Sequence, residues 1–144
     1  MAERTDYTHQ LTQGFLRINR RYRRYMHRSL KEHGVSDVAF PYIVAIARNP
    51  GTHQDQLAFL HGVDKSHIAR IIRDLELEGY VSIEKSPDDR RRHMINLSDK
   101  GWEMYELIMT ATQEWEAYIS DNVQEQDLIT TIQTINTIVQ SIDD

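Results

Sequence analysis

The segment between Gly62 and Gly79 constrains this chain more than any other. Ile68, Ile71, Ile72 and Leu75 recur there at helical spacing, while Ser66, Arg70 and Arg73 fall on the opposite side of the same wheel, with His67 and Ala69 on the flanks. Asp64 stands where an N-cap belongs, so the pattern predicts a helix from there to about Glu78. One face must be buried, and the other must stay wet. Residues 81–85 then alternate as a half-buried strand, and residues 93–97 do so again. The polar loop between them contains Pro87 and three consecutive arginines, Arg90, Arg91 and Arg92. The prediction is a hairpin with a charged, projecting tip beside the helix.

The remaining periodicity is helical. Leu11, Phe15, Ile18, Tyr22 and Tyr25 or Met26 form one apolar face of a first helix over residues 7–33, stopped by Gly34. Pro41 disfavours helical angles at Phe40, so a loose turn is expected over 36–40 and a regular second helix from Pro41 to Arg48. Asn49-Pro50-Gly51 supplies turn chemistry, and Thr52 with Asp55 is spaced like a capping box opening a third helix, whose buried side would be Leu57, Ala58 and Leu60. Ser98 caps a fifth helix running to around Ser120. In a sixth, from about Glu125, Leu128, Ile132, Ile135, Val139 and Ile142 make an a/d seam of about two heptads. That is too short for a free coiled coil and suits packing against another helix.

Composition enters through what it removes and how charge is arranged. The 144 residues contain no cysteine, which excludes disulfide scaffolds and thiol redox sensing. The polar first ten residues and the lack of an apolar run of about 18 residues give no secretory signal and no membrane span, and the expected location is the cytoplasm. Net charge is −5, but residues 1–34 hold eight Lys/Arg against three Asp/Glu, and residues 98–144 hold one Lys against ten Asp/Glu. Local field, not the sum, decides whether a surface binds nucleic acid. The basic run Arg17, Arg20, Arg21, Arg23, Arg24 and Arg28 is read as a balance to that acidic half, ahead of a second DNA or membrane surface.

The third and fourth helices with the tight turn between them form a helix-turn-helix pattern. A wet face of Ser, His and Arg near a helix start can read base edges and hold phosphates. An arginine from the hairpin tip suits the negative potential of a narrow minor groove. Val63-Asp64-Lys65-Ser66, Leu75-Glu76, Gly79-Tyr80-Val81, Pro87-Asp88-Asp89-Arg90-Arg91 and Leu97-Ser98-Asp99-Lys100-Gly101 follow in order without a gap. These residues resemble the core of the multiple antibiotic resistance regulator (MarR) family. The resemblance implies a mainly α fold with a small two-stranded β-wing, a winged helix-turn-helix over about 35–100. Dimerisation helices would cover about 7–33 and 99–143, all within a single domain over 1–144. It further implies a homodimer binding a pseudo-palindromic double-stranded operator, as a repressor released by a small molecule. By position, Ser66, His67 and Arg70 would face the major groove. Asp89 would orient Arg91 into the minor groove, and Arg90 and Arg92 would meet phosphates. Thr52, Lys65 and Arg73 complete the expected DNA-binding set. Pro41 departs from the usual second helix.

Leu11, Phe15, Ile18, Leu128, Ile132, Ile135, Val139 and Ile142 are the expected dimerisation residues. Tyr22, Met26, Tyr42, Ile46, Met104, Tyr105 and Ile108 are candidates for lining a pocket for a phenolic or other lipophilic effector, against a plain core role. The seven histidines are scattered without an i, i+4 pair, so no metal and no cofactor is expected. No Gly-rich phosphate loop, G-x-S-x-G or cysteine nucleophile points to an enzyme. The other alternative is an interaction module that has lost DNA binding, which would show an eroded recognition face or wing.

Overall fold

A computed structural model describes residues 2–35, 39–89 and 92–142. Helix α1 (Ala2–Leu30) is longer at its start than predicted and tightens into a 3-10 turn, Lys31–His33, before Gly34 adopts φ 75°. The second helix, α2 (Phe40–Arg48), begins one residue before Pro41, which occupies the first turn where its missing N–H costs nothing. Most of the loose turn expected at 36–40 lies outside the described residues.

Helix α3 (Gln54–His61) starts two residues later than the capping-box reading, and the reason is tertiary. Thr52 is taken up by the sheet. Its carbonyl accepts from the Ile95 N–H at 2.8 Å, its hydroxyl donates to Gln56 Oε1 at 2.9 Å, and it is 2% exposed. Leu57 and Ala58 are buried as predicted, but Leu60 is 54% exposed and is not part of the core. Gly62 then turns the chain at φ 61°, a left-handed conformation that a Cβ disfavours, and donates to the Phe59 carbonyl.

Helix α4 (Lys65–Leu77) follows its pattern closely. Ile68, Ile71, Ile72 and Leu75 are buried, each worth about 1.5–3 kcal/mol of removal from water. Strands β1 (Val81–Lys85) and β2 (His93–Leu97) pair antiparallel in the register Val81↔Leu97 to Lys85↔His93, so Val81, Ile95 and Leu97 enter the core. Gly51 donates to Asn96 Oδ1 at 2.7 Å and, with the Thr52–Ile95 bridge, fastens the segment before α3 to β2.

Helix α5 (Asp99–Asn122) begins with Ser98 as its cap, whose Oγ accepts from the Gly101 N–H at 3.1 Å. The Ser98 hydroxyl donates to the Gly79 carbonyl, its N–H donates to the Tyr80 carbonyl, and the Lys100 ammonium donates to the Glu78 carbonyl while sitting 4.5 Å from the Tyr80 ring centre. The Leu-Ser-Asp-Lys-Gly run is therefore a clamp holding the end of α4 and the start of β1 against the start of α5.

The chain divides into two compact units, Met1–Ala111 and Thr112–Asp144. The first holds the core, from Met26 and Leu30 of α1 to Met104, Ile108 and Ala111 of α5. The second comprises the end of α5 and α6 (Glu125–Ile142). None of its described residues is buried.

Candidate DNA interface

The turn between α3 and α4 builds the site. Asp64 Oδ1 accepts from the His67 N–H at 2.8 Å and from the Ser66 hydroxyl at 2.7 Å. These bonds, the Ser66 one foremost, hold the Asp64 carboxyl below the usual carboxylate value. The cap fixes the first turn of α4, and burial of the isoleucine face fixes its rotation. Ser66, Arg70 and Arg73 are then exposed on the outer face, with His67 and Ala69 half-buried beside them. Arg70 and Arg73 make no ion pair among the described residues.

Lys65 differs. Its ammonium lies 2.9 Å from Asp55 Oδ1, joining the starts of α3 and α4 at an exposed position. The Lys65 hydrogen bond, then its charge, lowers the Asp55 carboxyl. Such exposed pairs are worth little and exchange readily for a phosphate.

At the wing, Arg92 donates its N–H to the Asp89 carbonyl at 2.9 Å and accepts from the Ser86 N–H at 2.8 Å, closing the loop. Its Nε is 4.0 Å from Asp89 Oδ2. Arg90 and Arg91, and with them the expected Asp89–Arg91 pair, lie outside the described residues. Between the base of the wing and α3 runs a cleft of about 410 Å³ lined by His53, Gln54, Asp55, Gln56, Arg92 and His93. His53, the N-cap position of α3, lends no side-chain cap and instead places Nδ1 2.9 Å from the His93 carbonyl oxygen. Sequence periodicity gave no signal for His53 or Gln54 here, because the cleft exists only once β2 pairs with the segment before α3. Thr52 must be withdrawn from the expected DNA-binding residues. Its bonds to Ile95 and Gln56 bury it beneath this surface.

The expected effector residues separate into two groups. Met26, Ile46, Met104 and Ile108 are buried core residues, and Tyr105 is partly buried against them. Tyr22 and Tyr42 instead line a cavity of about 500 Å³ together with Phe40, Arg23, His61 and His67. The Tyr42 and His61 rings lie 4.4 Å apart, and Tyr22 meets Phe40 edge-on at 6.1 Å. The buried His61 Nε2 has no hydrogen-bond partner among the described residues. Desolvation lowers the His61 imidazole below its ordinary value, and burial raises the Tyr42 phenol. His67 belongs both to this cavity and to the first turn of α4.

A capped helix presenting hydroxyl and guanidinium groups beside a two-stranded wing is a winged helix-turn-helix architecture. The MarR family model matches residues 33–92, and the chain is similar to transcriptional regulators of that family. A transcriptional regulatory protein named for the hcr operon of Thauera aromatica is 32% identical over 92 residues, covering 61% of this chain, and the chain spans only 55% of that relative's length. A crystal structure of MarR is 29% identical with a TM-score of 0.76, covering 90% of this chain and 89% of that one. Two further structures share the fold at 20% identity. A MarR-family regulator from Listeria monocytogenes in complex with a 26mer DNA has a TM-score of 0.82, covering 91% of this chain and 87% of that one. Staphylococcus aureus MarR in complex with salicylate and kanamycin has a TM-score of 0.85, covering 94% and 92%.

Proposed function

We propose that this regulator is a homodimeric repressor that binds a pseudo-palindromic operator and releases it on binding a small aromatic effector. The outer face of α4 carries the reading. Ser66, Arg70 and Arg73 are exposed, and the two arginines are unpaired among the described residues. A guanidinium free of intramolecular partners can bind guanine O6 and N7 in bidentate fashion, and a hydroxyl can meet a base or a phosphate. Lys65, His67 and Arg92 add contacts around it, and Arg90 and Arg91 are assigned to the wing contacts, with Arg91 in the minor groove.

Dimerisation is supported by what the C-terminal unit leaves open. Ile132, Ile135, Val139 and Ile142 are exposed, as are Leu11 and Ile18 on α1, while Phe15 and Leu128 are only half-buried. Exposed apolar rows of this kind mark interaction sites. Two copies would present two recognition helices to half-sites ~34 Å apart.

The effector site is assigned to the cavity of Tyr22, Tyr42, His61 and His67. Aromatic walls and an orphaned imidazole nitrogen suit a ring carrying a hydroxyl or carboxyl group. An effector seated there would engage His67 and withdraw it from the DNA face.

Fluorescence anisotropy against the duplex upstream of the regulator's own gene, with a random duplex as control and a salt series, tests the reading. Tight, salt-steep binding with a large preference for the upstream duplex is expected, and a phenolic acid such as salicylate should weaken it. Equal, weak binding to both duplexes would count against operator recognition, and full indifference to phenolic ligands against the effector.

A further inference from the structure

We infer that the cleft between the base of the wing and α3 seats a phosphate of the DNA backbone, and that His53 takes up a proton to hold it, so that DNA binding is linked to pH. The inference rests on the DNA-binding reading of α4 and the wing, and it adds a contact that neither of them supplies.

A protein with a helix in the major groove and an arginine in the neighbouring minor groove straddles the sugar-phosphate strand that divides the two. That strand would cross the surface between the wing and the helix-turn-helix, where the cleft of about 410 Å³ opens. The lining is rich in donors: the Arg92 guanidinium, the Gln54 and Gln56 amides and the imidazoles of His53 and His93. Gln56 already uses its carbonyl oxygen on the Thr52 hydroxyl, which leaves its NH2 group for a ligand. The one carboxylate, Asp55, is held by the Lys65 ammonium at 2.9 Å. Such a lining fits an anion, and a phosphodiester is the anion that a bound duplex brings.

The pairing of β2 with the segment before α3 fixes the His53 ring. Thr52 accepts from the Ile95 N–H at 2.8 Å, and one residue on, His53 Nδ1 lies 2.9 Å from the His93 carbonyl oxygen. A carbonyl oxygen only accepts, so Nδ1 carries the hydrogen. In the neutral ring Nε2 is then a bare acceptor, with no partner of its own among the described residues. A phosphate oxygen is also an acceptor, so the two cannot bond until Nε2 is protonated. The imidazolium donates from both nitrogens, one to the His93 carbonyl and one to the phosphate. The Nδ1 bond keeps the ring in place in both charge states.

The charged and titratable groups around this ring come from four elements. They are Asp55 of α3, Arg92 of the wing loop, His93 of β2, and Lys65 of α4 through its pair with Asp55. The Asp55 carboxyl is lowered first by Lys65 and further by Arg92 and His53, so these groups share one field. A phosphate adds negative charge to that field, and this favours the imidazolium.

The test compares wild type with His53→Asn, whose NH2 group can keep the bond to the His93 carbonyl while the second ring nitrogen is removed. Calorimetry in buffers of different ionisation enthalpy counts the protons taken up on binding. The probes are the duplex upstream of the regulator's own gene and a random duplex. Backbone contacts are indifferent to sequence, so both duplexes should show the effect. From about pH 8 to about pH 6, wild-type binding should tighten about fivefold more than that of His53→Asn. Over the same range the wild-type salt slope should steepen by about one. The two chains should bind alike at about pH 8. His67 and His93 are present in both chains, so the difference isolates His53.

Equal proton uptake by the two chains would overturn the inference and leave DNA binding intact. A wild-type chain that takes up no proton on binding would do the same, whether or not the variant folds. If His53→Asn bound more weakly by one factor at every pH, His53 would be a structural support only, and the inference would fall. Proton-linked binding without preference for the upstream duplex would support the phosphate seat and count against operator recognition alone. Binding to neither duplex at any pH would overturn the DNA reading and the inference together.

Discussion

Gly101 sits so close to Tyr80 that a Cβ built on it would lie 2.1 Å from the Tyr80 carbonyl oxygen. That oxygen already accepts the Ser98 N–H at 3.0 Å, so it cannot retreat without breaking the clamp between α5 and the start of the wing. Glycine is required there by proximity to backbone and not by its own dihedral angles.

Gly101→Ala should therefore destabilise the fold by about 1–3 kcal/mol, the usual cost of forcing an extra carbon into a packed site. Chemical denaturation at fixed protein concentration reads this directly. A variant as stable as wild type would show that α5 can shift away from Tyr80 without loss.

Arg70→Ala and Arg92→Ala should fail differently on DNA. Removing Arg70 should cost about 1–3 kcal/mol and relax preference at one base pair, whereas removing Arg92 should weaken all sequences alike and lower the salt slope by about one. Binding titrations against a panel of single-base operator variants separate the two. Uniform weakening from Arg70→Ala would move that residue from base reading to phosphate contact.

Ile135→Asp places a carboxylate in the middle of the exposed seam of α6. The dimer should dissociate, because burying that charge at an interface without a partner costs several kcal/mol. Size-exclusion chromatography with light scattering should return the monomer mass. A dimer would mean that α6 packs through another face.

The pH dependence follows from His61. Its imidazole is held below 6.5 by desolvation, so as pH falls past 6.5 the unfolded chain takes up the proton first and the fold loses stability, while above 6.5 the group contributes nothing. Asp55 and Asp64 act in a separate window, since their carboxyls are held below 3.8 and their stabilisation disappears only as pH falls below that value. His61→Gln should flatten the stability curve just below pH 6.5 and leave the acid limb unchanged. Superimposable curves would show that the His61 side chain opens to solvent before it titrates.

The local features of α4 were legible because its information is local: the N-cap, the isoleucine face and the arginines all lie within fourteen residues of one another. The six helices and the hairpin followed from the same kind of periodicity. Thr52 misled because its partner, Ile95, is distant in sequence, and a capping-box spacing carries no sign that β2 will claim the residue first. Leu60 failed similarly. Apolar character gave it to the core, whereas the rotation of an eight-residue helix left it outside. The cavity was half visible. Tyr22 and Tyr42 were readable as aromatics on helical faces, but His61 and His67 join them only through the turn at Gly62, which brings the end of α3 and the start of α4 to the same wall.

That shared wall has a consequence for how sensitive the switch can be. If the proposed effector and operator both engage His67, one side chain has two claims on its rotamer. Whatever factor an occupied cavity removes from operator affinity, an occupied operator must remove from affinity for the effector. The effector dose needed to clear the promoter then depends on how strong that promoter is. Genes under weak operators would be relieved first and those under strong operators last, so a single regulator would grade its targets by threshold without any second signal.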